Sequence, residues 1–271
     1  MNSILCRFAV GRTILLIALF LGAISSSGCG SHSAQPAAMA PVVVLPAAIP
    51  SAEPVLLFVG EGSSELDVTA IEGILGNLKI AYKPVNSSDL NAMSEAQLGG
   101  YKLIIIPGGN SITIGENLSA QTVSAIQTAV QGYGVHYLGL CAGAFFGGYS
   151  DYNGVNLTGG IAFDFYADEF KGIHQEAVLL SLASGQSIDV YWQDGPQLSG
   201  WGSVVAKFPD GTPAIVEGQS GKGFVIFTGV HPEAAQSWRG PFAFSTPVTV
   251  DVAYASTIVQ AALNGTPLPS F

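Results

Sequence analysis

The chain has 271 residues, with 19 acidic against 9 basic side chains, a net charge of −10 and an apolar fraction of 48%. That balance argues against nucleic acid as a partner and against a polybasic hold on anionic lipid. The length and the apolar content suffice to bury one good core, so one folded domain is expected.

At the amino terminus Arg7 and Arg12 flank the apolar run Ile14 to Ile24, which Ser25-Ser26-Ser27-Gly28-Cys29 follows. The run is too short for a stable membrane span, so residues 1–28 read as a signal peptide. The Gly28-Cys29 ending resembles a bacterial lipobox, although Ser26 stands where an aliphatic residue is usual. On that resemblance Cys29 is the lipidation site and the protein is an exported, membrane-anchored lipoprotein. A secreted or periplasmic form, or an uncleaved anchor, is the alternative. Residues 29–54 are rich in Ala, Ser and Pro and read as a tether, with Val42-Val43-Val44-Leu45 as a possible edge strand. The three cysteines are Cys6, Cys29 and Cys141, so a lipidated mature chain keeps Cys141 as an unpaired thiol.

The domain is expected over residues 55–265 and opens with alternating strand and helix patterns. Val55 to Val59 reads as a buried strand, Glu65 to Leu78 as an amphipathic helix, and Ile80 to Pro84 as a strand. The polar stretch Asn86 to Gly100 covers a short helix. Leu103 to Ile106 is a strand ending in Pro107-Gly108-Gly109-Asn110, and Ser119 to Gln131 is a helix with Ser119 as its N-cap. Val135 to Leu140 is the next strand. This alternation predicts an α/β fold with a doubly wound, mostly parallel sheet. Beyond about Gly154 the chain turns β-rich, with runs at Ala177–Leu182, Ser187–Trp192, Ser203–Phe208, Ala214–Glu217 and Gly223–Thr228. Asp210-Gly211 and Ser220-Gly221 read as hairpin turns, and a closing helix spans Val250 to Leu263.

Two segments carry chemistry. Gly139-Leu140-Cys141-Ala142-Gly143 directly follows a predicted strand and enters a helix, the pattern of a nucleophile elbow. There the helix dipole favours a thiolate, and the Ala142 N–H is placed to hold an oxyanion together with the Gly109 N–H. The second segment is Val230-His231-Pro232-Glu233, at the end of the run Gly223–Thr228. Residues two apart in an extended chain share a face, so Glu233 is placed to orient His231 as the base. His32 lies in the tether, His136 within a strand and His174 in a polar turn. Asn110, Phe145, Tyr191 and Trp192 are candidate pocket residues, although aromatic residues in β-runs, such as Tyr191, Trp192 and Trp201, more often serve core or edge packing. Asp164, Asp168 and Glu169 offer carboxylates in an aromatic loop, or are simply solvated. No Cys/His cluster has metal-ligand spacing and no phosphate loop is present, so neither metal nor cofactor is expected.

The order of Gly-Gly turn, Gly-x-Cys-x-Gly elbow and His-x-Glu resembles the class I glutamine amidotransferase-like superfamily. The nearest likeness is to the biotin–protein ligase N-terminal domain family in its free-standing bacterial form. It rests on Leu138 to Ala144, Gly229 to Glu233 and Tyr191-Trp192-Gln193-Asp194-Gly195-Pro196. The resemblance implies a flavodoxin-like α/β fold and a Cys141-His231-Glu233 triad. Gly143-Ala144-Phe145-Phe146-Gly147-Gly148 stands where many glutaminases carry Gly-His-Gln, which points away from free glutamine. The expected activity is thiol-dependent hydrolysis of a small-molecule amide or a peptide. The alternative is a catalytically silent module of the same fold that binds a ligand or partner in the cell envelope.

Overall fold

A computed structural model describes residues 44–271. The predicted signal peptide, Cys29 and most of the tether lie outside the described residues. Within them, eleven strands and eight α-helices follow in chain order. The first half contains β1 (Val55–Phe58), α1 (Glu65–Asn77), β2 (Tyr82–Val85), α2 (Ser87–Asn91), α3 (Glu95–Leu98), β3 (Leu103–Ile106), α4 (Ser111–Glu116), α5 (Ala120–Thr128), β4 (His136–Leu140) and α6 (Ala142–Gly147). The second half adds β5 (Asp164–Phe165), β6 (Gln175–Leu182), β7 (Ser187–Gln193), β8 (Pro196–Gln197), β9 (Ser203–Lys207), β10 (Pro213–Ser220), β11 (Gly223–Thr228), α7 (Gln236–Arg239) and α8 (Val248–Asn264).

Nine strands form one sheet in the order β2-β1-β3-β4-β11-β10-β9-β6-β7. The first five are parallel and the remaining pairs antiparallel. The central strands are continuously apolar because both of their faces are covered. Their alternation divides them between two cores. Val55, Leu57, Leu103, Ile105, Leu138 and Ile226 pack with α1 and α8, while Leu56, Phe58, Ile104, Ile106, Tyr137 and Phe227 pack with α5 and α6. The antiparallel half carries β7 back round, so that the Tyr191 carbonyl accepts the His231 N–H at 2.8 Å.

Several expectations shift. Ser119 does cap α5, accepting from the Thr122 N–H at 3.0 Å, but the helix then changes to a π-turn over Ala129–Tyr133. The second strand starts at Tyr82 rather than Ile80, because Lys79 takes a left-handed φ of 56° to leave α1. Two short helices replace one between Asn86 and Gly100, each with its own N-cap, Asn86 and Ser94. Val44 and Leu45 form no strand. The end of the predicted tether instead lies on the domain: Ile49 N–H bonds Ala96 O at 2.8 Å, and Tyr133 Oη bonds Pro46 O at 2.9 Å. The domain also continues past residue 265. Leu268 N–H donates to both Glu217 carboxylate oxygens at 3.0 Å, and Phe271 N–H to Val204 O at 2.8 Å.

Candidate functional site

At the end of β4 the chain reverses sharply into α6, and Cys141 carries the strain, with φ 47° and ψ −101°. Its N–H is tied to Thr228 O at 2.8 Å, and its carbonyl accepts the Ala144 and Phe145 N–H groups at 2.9 and 3.1 Å. The flanking glycines serve close approach rather than positive φ. A Cβ on Gly143 would collide with the Ile106 carbonyl, and one on Gly139 with the Gly143 carbonyl. The helix is thereby pressed onto the sheet edge and the thiol is aimed across it. Cys141 is 5% exposed, and its Sγ lies 3.5 Å from Gln193 O.

The Gly-Gly turn after β3 packs against the loop leading into α1. Ser64 N–H donates to Gly108 O at 2.8 Å and Asn110 N–H to Gly62 O at 2.7 Å. Gly109 has φ +140°, and a side chain there would strike the Gly62 carbonyl. Among the described residues neither the Gly109 nor the Ala142 N–H has a hydrogen-bond acceptor in the protein.

His231 is 4% exposed and sits between β7 and the Gly-Gly turn. Its Nδ1 lies 2.9 Å from Glu233 Oε1, as the His-x-Glu spacing predicts. Nδ1 also lies 2.9 Å from Asp67 Oδ1. Burial by itself would lower the imidazole pKa, but the charges of Asp67, Cys141 and Glu233 together hold it well above 6.5. The two carboxyls diverge. Burial pushes both up; for Asp67 the His231 charge and hydrogen bonds outweigh it and leave the pKa lowered, whereas for Glu233 burial wins.

Asp67 is the site residue that sequence reading misses. Ser64-Glu65-Leu66-Asp67 matches a helix-capping signature, and Ser64 Oγ does accept the Asp67 N–H at 3.3 Å. That local role accounts for an acid in a first turn and hides its second partner. Gly108 makes room for the pair, since a Cβ there would collide with Asp67 Oδ1 and crowd His231 Cε1.

Cys141, His231, Asp67, Gly109, Ser64, Gln193 and Asp194 line one cavity of about 130 Å³. A larger space of about 450 Å³ shares Ser64, Asp67, Gln193 and His231 and adds Leu66, Gln175, Tyr191, Ser237, Trp238 and Pro241. Tyr191 lines this larger space. Trp192 does not: it is completely buried on the opposite face of β7, where Tyr166 packs edge-on against it at 5.5 Å and its Nε1 donates to Gly195 O. The alternation of β7 sends neighbouring residues to opposite faces. Asn110 spends its side-chain oxygen capping α4 through the Thr113 N–H at 3.0 Å. Phe145 packs on Phe165 with ring centroids 5.0 Å apart and lines neither cavity. Trp201 packs against Phe227 at 5.2 Å. Asp168 pairs with Lys171, and Glu169 with His174 at 3.0 Å.

Two clusters have donor atoms close enough for a metal ion: Asp67-His231-Glu233 and Glu169-His174-Asp194. In each, the imidazole Nδ1 lies 2.9 to 3.0 Å from two carboxylate oxygens. Of these contacts, Glu233 on His231 and both carboxylates on His174 are aligned as hydrogen bonds. A zinc ion about 2.0 Å from each donor would require the atoms to spread.

Residues 53–174 match the family model of the biotin-protein ligase N-terminal domain. Among solved structures the chain is similar to a glutamine amidotransferase, at 22% identity and a TM-score of 0.52, over 66% of this chain and 90% of that one. The fold is glutamine amidotransferase-like. PurLQS from Thermotoga maritima gives 17% identity and a TM-score of 0.51, over 77% of this chain and 98% of that chain. The exo-β-1,4-mannosidase Op5Man5 from Opitutaceae bacterium strain TAV5 shares the fold at 13% identity and a TM-score of 0.51, with 36% of its length covered. No curated protein matches the chain. The family match spans the Gly-Gly turn and the elbow, whereas His231 and Glu233 lie beyond it.

Proposed function

We propose that this glutamine amidotransferase-like domain hydrolyses an amide through Cys141. The observation that carries this reading is one small cavity holding a thiol on a strained elbow and an imidazole fixed at Nδ1 by carboxylates. With Nδ1 so engaged, Nε2 is the ring atom left to exchange a proton with the thiol and then with the leaving amine. The Sγ attacks the carbonyl carbon, and the Gly109 and Ala142 N–H groups hold the oxyanion. Collapse breaks the C–N bond, the amine leaves with the His231 proton, and water cleaves the resulting thioester.

The test is alkylation of Cys141 by iodoacetamide at neutral pH, followed by intact mass, in the wild type and in His231→Ala. Labelling faster than that of a free cysteine, and slowed at least tenfold by the substitution, supports hydrolysis. A rate that ignores His231 sinks it.

A ligand-binding module without turnover is the second reading, favoured by the 5% exposure of Cys141 and the engagement of its thiol with Gln193 O. Its mark is ligand-induced stabilisation that survives Cys141→Ala.

Export and anchoring through lipid on Cys29 belong to the same proposal. Membrane fractionation checks them: Cys29→Ser should release the protein from the membrane fraction.

A further inference from the structure

The larger cavity beside His231 has a chemistry that narrows the substrate. We infer that it is the subsite for an uncharged aromatic group of the amide substrate, an inference that rests on Cys141 being the nucleophile. Tyr191 and Trp238 form a corner, with ring centroids 5.8 Å apart and planes at 67°, and Phe242 backs Tyr191 at 6.0 Å. Leu66 and Pro241 complete the apolar walls. A planar ring entering that corner gains burial and edge-to-face contacts with both aromatics.

The polar groups of this cavity are neutral or already engaged. Gln175 and Gln193 are bridged by the Tyr191 hydroxyl at 3.1 and 2.8 Å. Asp67 and His231 are the charged lining groups, and they neutralise each other. Among the described residues no lysine or arginine lines the space. Arg239, on the adjoining α7, is turned away to Asp251 at 3.1 Å and to the Phe244 ring at 3.8 Å. In the neighbouring Cys141 cavity Asp194 adds a negative group. A substrate carboxylate in the larger cavity therefore meets no unpaired cationic side chain, and burying it without a counter-charge is costly. Free amino acids are disfavoured on this ground, and internal or amidated aromatic residues are favoured.

The experiment uses Cys141→Ala protein, which lacks the nucleophile, labelled with ¹⁵N and titrated by NMR. The probes are N-acetyl-tyrosinamide, its carboxylate twin N-acetyl-tyrosine, and N-acetyl-alaninamide. The expected result is saturable shifts at site amides, with the neutral aromatic amide binding at least tenfold tighter than either comparison probe. Trp238→Ala should remove that preference. Leu66→Lys changes a side chain that is 61% exposed, so the fold tolerates it, and it should narrow the gap to the carboxylate twin. Equal binding of the carboxylate probe, no saturable binding, or a preference unmoved by Trp238→Ala overturns the subsite. Because the assay needs no thiol, failure here beside fast His231-dependent alkylation rejects the subsite alone. Aromatic preference beside a sluggish Cys141 rejects hydrolysis alone.

Discussion

Asp67 Oδ1 and Glu233 Oε1 both lie 2.9 Å from His231 Nδ1, yet only the Glu233 contact is aligned as a hydrogen bond. Asp67 Oδ1 sits off the N–H direction and has no other hydrogen-bond partner among the described residues. Its contribution is mainly coulombic, and in a buried site that contribution is large. His231 is therefore oriented by Glu233 and charged by Asp67, two roles carried by two acids.

Asp67→Asn should accordingly lower the His231 pKa while leaving its ring in place, whereas Glu233→Gln should also loosen the ring. A folded-state pKa held above 6.5 means the imidazolium stabilises the fold fully below that value. The stabilisation is lost as pH rises through the raised value. In Asp67→Asn the loss should begin at lower pH. Imidazole titration by NMR and melting temperatures taken above pH 6.5 read both effects. An unchanged His231 titration would remove Asp67 from this role.

Cys141 holds φ 47° and ψ −101°, a conformation that favours glycine. Cys141→Gly should stabilise the protein by about 1 kcal/mol while abolishing thiol labelling, because conformations of this kind cost about 1–3 kcal/mol in non-glycine residues. Thermal unfolding of Cys141→Gly beside Cys141→Ala separates strain relief from loss of the side chain.

Gly143→Ala drives a methyl group into the Ile106 carbonyl, which belongs to a buried central strand and has no room to retreat. A destabilisation of about 3 kcal/mol is expected, at the upper end for overpacking. Denaturant unfolding measures it. Gly73, by contrast, meets nothing within 4 Å, so Gly73→Ala should be neutral or mildly stabilising.

Asp189 ties the segment after α7 to β7, accepting the Ser245 and Thr246 N–H groups at 2.6 Å and the Ser245 hydroxyl at 3.0 Å. Although burial alone would raise its pKa, the Thr246 hydroxyl together with these bonds pulls it down from 3.8 to about 2. A depressed carboxylate pKa gives stability that is complete above 3.8 and lost as pH falls towards 2. Asp189→Asn should cost about 2 kcal/mol at neutral pH, because a tenfold change in a dissociation constant corresponds to about 1.4 kcal/mol. It should also flatten the acid limb of the stability profile, which melting curves between pH 5 and 2 would show.

What the sequence determined by itself was local in its causes. Unbroken apolar runs such as Leu103–Ile106 announce strands covered on both faces, and Ser119 announces a helix start, because both depend on neighbours a few residues away. The elbow and the His-x-Glu pair were legible for the same reason: each is a short segment whose spacing fixes which side chains share a face. Tertiary structure decided which distant groups meet. Asp67 reaches His231 only because the loop before α1 folds over the Gly-Gly turn, and Tyr191 and Trp238 form a wall only because β7 curls back beside the end of β11. The face of β7 likewise divided Tyr191 from Trp192, sending one to the cavity and the other to the core. Pattern and propensity carry information over a few residues, whereas the charge balance at His231 is set by side chains brought together only when the sheet closes.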